Sequence, residues 1–150
     1  MTDEHAALPD WVHGLGLAPH PEGGWYAETW RSDLMLPAAA LPGYEGDRPA
    51  GTAIHFVLLP GEESAWHTVR GAEIWLYHRG APVHLDLGGA GAAPQDIERA
   101  VVGADLTGGQ RPQVLVPPGH WQRARCSGDE ASLVSCIVVP GFDFADFRLA

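Results

Sequence analysis

Apolar and polar positions alternate in short runs along most of the chain. Residues 24–31, GWYAETWR, set large apolar groups against polar ones with the period of a half-buried strand. TAIHFVLL at 52–59 is β-rich and apolar on both faces, and PGEES then turns the chain. AEIWLYHRG at 72–80 predicts a further strand, with a turn beginning at Gly80. It leads into PVHLDLGG at 82–89, where Val83, Leu85 and Leu87 share one face and His84 and Asp86 the other, with His84 expected to meet solvent. These two runs are expected to form a hairpin. IERAVVG, QVLVPPG, HWQRARC and ASLVSCIVV follow as strand-length segments, each bounded by Gly, Pro or Asp. Helix periodicity is confined to the opening LPDWVHGLGL, with Pro9 or Asp10 near its start and Gly14 or Gly16 at its end. Many short strands after one small helix predict a mostly β protein, an antiparallel jelly-roll barrel or sandwich.

Composition adds limits to this picture. A chain of 150 residues fits one domain, 1–150, and 45% hydrophobic content with six tryptophans supplies a core without staples. The formal net charge of −10, with nine Lys and Arg in all, argues against nucleic acid and against an anionic membrane surface. Cys126 and Cys136 lie ten apart with no metal or redox spacing, and the N-terminus has neither a basic start nor an apolar run. Both thiols are expected to be small buried hydrophobes, and a soluble protein of the reducing cytoplasm is expected.

One stretch carries candidate chemistry. Gly61, His67, Glu73 and Gly80 have the spacing of the first cupin motif, with Val69 where a second histidine is usual; the Pro-Pro-Gly at 117–119 resembles the second motif, with Gln122 where a further histidine is usual. HPEGGWYAETWRS at 20–32, WQ at 121–122 and PGFDFADF at 140–147 extend the likeness. Together they resemble a largely uncharacterised cupin branch that opens with HPEGG and closes with PGFDF, over about residues 10 to 149. The resemblance implies a small cupin jelly roll, the antiparallel double-stranded β-helix, whose members often pair as homodimers. Ala72 departs from the branch, which usually has an acidic residue before the glutamate.

On a strand, residues of one parity share a face, so Glu73, Trp75 and Tyr77 should point together; the motif places them inward with His67, and Gln122 should face them across the hollow. A half-apolar bowl with a few convergent polar groups is the usual form of a small-ligand pocket. His67 is then a candidate general acid or base oriented by Glu73, with Tyr77 returning a proton from the other side, as epimerases of this superfamily do with a histidine and a tyrosine. Trp75, Gln122, Arg31 and His55 are candidate ligand contacts, Arg31 for a carboxylate or phosphate. His67, Glu73 and Gln122 also make a possible metal set for manganese, magnesium or iron. It is poor in imidazoles, and no cofactor is favoured. His55 has the alternative of a hydrogen-bonded core residue, Glu22 that of closing a backbone turn, and Phe142, Phe144 and Phe147 that of plugging a barrel mouth or dimer seam. His78 should point away from the cavity, and His20 has no identifiable partner.

Three functions stay open at this level: an isomerase, epimerase or lyase acting by proton transfer on a small polar, sugar-like or nucleotide-like metabolite; a binding module that leaves such a ligand unchanged; and a structural or storage protein with a filled barrel.

Overall fold

The computed structural model describes residues 8–150. Its strands are β1 (Ala18–Pro19), β2 (Trp25–Arg31), β3 (Met35–Leu36), β4 (Arg48–Pro49), β5 (Thr52–Leu58), β6 (His67–Val69), β7 (Ala72–Gly80), β8 (Val83–Leu87), β9 (Glu98–Val102), β10 (Gln113–Val116), β11 (Gln122–Cys126), β12 (Ser132–Val139) and β13 (Phe147–Leu149). Two antiparallel sheets form the two sides of a jelly roll. One has the order β1-β2-β5-β12-β7-β10, the other β13-β6-β11-β8-β9, and β3 pairs with β4 apart from both. Each run read as a strand in the sequence is one. Short β1, β3, β4, β6 and β13 give no periodic signal because two or three residues cannot display a period.

The expected hairpin between 72–80 and 82–89 is not formed. β7 pairs with β10 and β12, whereas β8 pairs with β9 and β11 in the opposite sheet. Gly80 is the corner between the sheets. Its φ is 87°, and a Cβ there would collide with the Ala131 carbonyl oxygen, so no larger residue fits the crossing.

Inward side chains of both sheets make one core, in which Phe56, Trp75, Val83, Leu85, Val102 and Val134 are nearly inaccessible. Phe56 and Trp75 meet edge to face with centroids 5.8 Å apart. This core fills one end of the barrel. The opening segment is a 3-10 turn over Asp10–Leu15, ended by Gly16 at φ 69°. It packs Leu8, Val12 and Leu17 with Trp25 and Val57, covering part of the outer face of the six-stranded sheet. No helix among the described residues is long and apolar enough to cross a membrane.

The C-terminal segment is held by a buried ion pair. Arg48 donates from Nε to Asp146 Oδ2 at 2.7 Å and from Nη2 to Oδ1 at 3.1 Å, both side chains being almost inaccessible. Arg70 approaches the same carboxylate at 3.4 Å. Asp146 ends a 3-10 turn, Phe144–Asp146, that leads into β13, so this clamp fixes the aromatic segment around Phe142, Phe144 and Phe147. Removing one member of a buried pair leaves the other charge uncompensated. Asp146→Ala is expected to lower stability by about 3–5 kcal/mol in urea denaturation, with Arg48→Met/Asp146→Leu recovering part of the loss.

Candidate functional site

At the end of the barrel not filled by core lies a cavity of about 610 Å³. His67 enters it from β6, Glu73 from β7 and Glu22 from the turn before β2. That turn depends on its glycines. Gly23 and Gly24 have φ of 105° and 82°, and a Cβ on Gly24 would lie 2.7 Å from the Phe56 ring. The backbone N–H of Glu22 donates to His20 Nδ1 at 3.1 Å, which fixes the turn and turns the Glu22 side chain under the sheet.

His67 is held at both nitrogens. Nδ1 donates to the Ala65 carbonyl at 2.7 Å, and Nε2 lies 2.7 Å from Glu22 Oε2. Burial works against a charged ring here. The charge and hydrogen bond of Glu22, the Ala65 carbonyl and the charge of Glu73 outweigh it, so the His67 pKa is raised. Glu73 is pushed up to about 7, first by burial and then by the neighbouring charge of Glu22; His67 and hydrogen bonds from Gln122 and Cys136 pull the other way. His20 is lowered by burial and by His67 against the pull of Glu22. A neutral His20 with Nδ1 accepting carries its proton on Nε2.

Gln122 is engaged within the protein. Its Nε2 donates to Glu73 Oε1 at 2.6 Å and its Oε1 accepts from Trp75 Nε1 at 3.0 Å. Trp75 and Gln122 therefore stand behind Glu73 and aim it, and neither lines the cavity, contrary to the expectation of ligand contacts.

Tyr77 shares the inward parity of Glu73, but four residues along β7 is roughly 13 Å. That carries it into the filled end, where its hydroxyl donates to the Gly80 carbonyl at 2.6 Å, away from the cavity. His55 is on the opposite face of β5 from the cavity-lining Thr52 and Ile54, with its ring 6.2 Å from His78. His78 faces away from the cavity as the parity predicts, its Nε2 2.6 Å from the Ser135 hydroxyl.

Arg31 does line the cavity, but its charge is already met. Nε and Nη2 donate to Glu28 at 2.9 and 2.8 Å, and Nη2 also reaches the Phe142 carbonyl at 3.3 Å. On the face where His84 was expected to meet solvent, His84 is partly buried and Asp86 is buried between Arg99 and Arg123.

Among the described residues, no group of three or more His, Cys, Asp or Glu is arranged to hold a metal ion. Val69 stands on the wall in place of an imidazole, and the carboxamide oxygen of Gln122 is taken by Trp75. The set His67, Glu73 and Gln122 does not fit a three-ligand metal site.

Glu22, His20, Tyr26 and Cys136 belong to the site although the sequence reading gave them no part in its chemistry. The Tyr26 ring packs edge-on to His20 at 4.7 Å, and the Cys136 thiol hydrogen-bonds Glu73. The HPEGG block was visible, but its reach under the sheet has no periodic signature.

The model of a family described as "Cupin superfamily (DUF985)" matches residues 9–150. The chain belongs to this cupin family. The cupin is 34% identical to a hypothetical protein from Leishmania major whose solved structure superposes with a TM-score of 0.82, covering 93% of this chain and 85% of that one. The solved protein SO0799 from Shewanella oneidensis is 33% identical with a TM-score of 0.80, over 100% of this chain and 85% of that one. The uncharacterized protein YML079W of Saccharomyces cerevisiae is 27% identical over 97% of this cupin and 76% of its own length. More distant enzymes have the same fold. An oxalate decarboxylase from Bacillus subtilis, 14% identical, superposes with a TM-score of 0.58 over 88% of this cupin and 29% of its own chain, which shows the fold alone.

The raised Glu73 pKa has a consequence for folding. Between pH 4.5 and about 7 the folded cupin keeps a proton that the unfolded chain releases, so this carboxyl lowers stability as pH rises through that window. Glu73→Gln keeps an acceptor for Gln122 and removes the titration. Its stability is expected to fall less across the window than the parent's, by about 3 kcal/mol, in urea denaturation at both ends of the range.

Proposed function

We propose that this cupin catalyses a proton transfer on a small polar metabolite held in the cavity, with Glu73 taking the proton and returning it. The supporting observation is a carboxyl with a pKa near 7 on the cavity wall, beside an imidazole already bonded to a second carboxylate. A general acid–base group works best when its pKa is close to the working pH, since both protonation states are then populated. Glu73 meets that condition, and Gln122, itself held by Trp75, orients it from behind.

His67 has a different role from the one its motif position suggests. Its Nε2 is bonded to Glu22, so Glu22 rather than Glu73 orients the ring. The His67 ring, held by Glu22, pulls the Glu73 pKa down while burial and the Glu22 charge push it up, and this balance leaves Glu73 able both to hold and to release a proton near neutrality. Neutral His20, with Nδ1 used by the Glu22 backbone, leaves an Nε2–H to donate to a substrate oxygen on which charge develops. Abstraction of a proton next to a carbonyl, the step shared by isomerases, epimerases and some lyases, needs a base and such a donor. Fold kinship with an enzyme is a weaker support, since one fold hosts many chemistries.

The test is isotope exchange. A panel of small keto and hydroxy compounds incubated with the cupin in deuterium oxide is expected to show, by proton NMR, loss of one carbon-bound proton signal in at least one member. Glu73→Gln should slow that exchange by about 100-fold or more. Saturable binding with no exchange in any member would instead identify a binding module.

A further inference from the structure

We propose that the molecule this cavity takes is an organic cation carrying a hydroxyl or carbonyl oxygen, rather than an anion such as a phosphorylated or carboxylated metabolite. The inference deepens the reading above but rests only on the cavity as a binding site, not on turnover.

Charge is the first argument. Four carboxyl groups, Glu22, Glu28, Glu73 and Asp143, line the cavity against two cationic side chains, Arg31 and His67. Both cations are committed: His67 to Glu22, and Arg31 to Glu28 through two hydrogen bonds. Arg31 also feels the charge of Asp143. An anion would meet no unpaired positive group among the described residues. It would also enter a chain whose formal net charge is −10.

The second argument is the wall. Phe142, Phe144 and Phe147 form a cluster of rings with centroids 4.9 to 6.3 Å apart, and all three line the cavity. The His20 ring stands 6.1 Å from Phe144 and 6.0 Å from Phe147, and 4.7 Å from Tyr26 on its other side. Ring faces with carboxylates at their edge attract an alkylated ammonium group, which sheds its water more cheaply than a compact ammonium ion does. Phe144 is half exposed although large and apolar, as a ring at the rim of such a box must be to meet a guest.

The third argument is the His20 donor. Its side chain is more than nine-tenths buried, Nδ1 is occupied, and among the described residues Nε2 has no hydrogen-bond partner. A donor left free on a cavity wall calls for an acceptor on the guest, hence the hydroxyl or carbonyl oxygen.

Choline is the probe, set against its uncharged tert-butyl isostere dimethylbutanol and against inorganic phosphate and citrate, by titration calorimetry on the full chain. Choline is expected to bind about tenfold or more tighter than the isostere, with neither anion saturating. Asp143→Asn keeps the side-chain oxygen that caps Ala145 N–H and removes only charge; Phe144→Leu keeps apolar volume and removes the ring. Each should weaken choline about three- to tenfold and leave the isostere unchanged. Equal affinity for choline and the isostere, tighter binding of either anion, or no saturable choline binding would overturn the proposal. Choline binding without isotope exchange on any compound would leave it standing while removing the proton-transfer reading. Exchange without a cation preference would do the reverse.

Discussion

The contact between Glu22 and His67 at 2.7 Å is what makes the interior of this barrel tolerable. Three ionisable groups, Glu22, His67 and Glu73, are buried together, and an isolated buried charge costs several kcal/mol. One carboxylate and one imidazolium cancel each other. The second carboxyl is then left to settle its own charge by holding a proton through much of the neutral range. Without Glu22, His67 would lose its main reason to be charged, and Glu73 would have a different neighbour in both charge and hydrogen bonding.

This contact in turn depends on the backbone of the HPEGG turn. Glu22 reaches the cavity because the chain folds back at two glycines with positive φ and because the His20 ring accepts from the Glu22 backbone N–H. Local conformation, packing and electrostatics are thus one problem here. A side chain on Gly24 would push on Phe56, which belongs to the core that fills the other end of the barrel.

Much of the architecture was legible because alternation at period two survives in a single sequence. Most of the eight long strands and the shared face of Glu73 and Trp75 follow from it, while the opening turn ended by Gly16 was legible from its Pro and Gly boundaries. Alternation states which face a residue takes. It is silent on which strand lies alongside, so β7 and β8 read as a hairpin although Gly80 carries the chain from one sheet to the other. It is equally silent on depth, which is why Tyr77 was expected in the hollow and lies among packed hydrocarbon instead. Glu22 was harder still. A residue in a turn has no periodic neighbours, and its role is set by a histidine 45 positions away in the chain.

The chain from Trp75 through Gln122 to Glu73 separates two tasks that many pockets combine. The Glu73 carboxyl is aimed by groups that do not line the cavity, while the outer wall is built from a different stretch near the C-terminus, anchored at Asp146. Sequence drift among the phenylalanines can therefore change what is admitted without turning the carboxyl away. One scaffold is left free to vary its wall around the same fixed carboxyl.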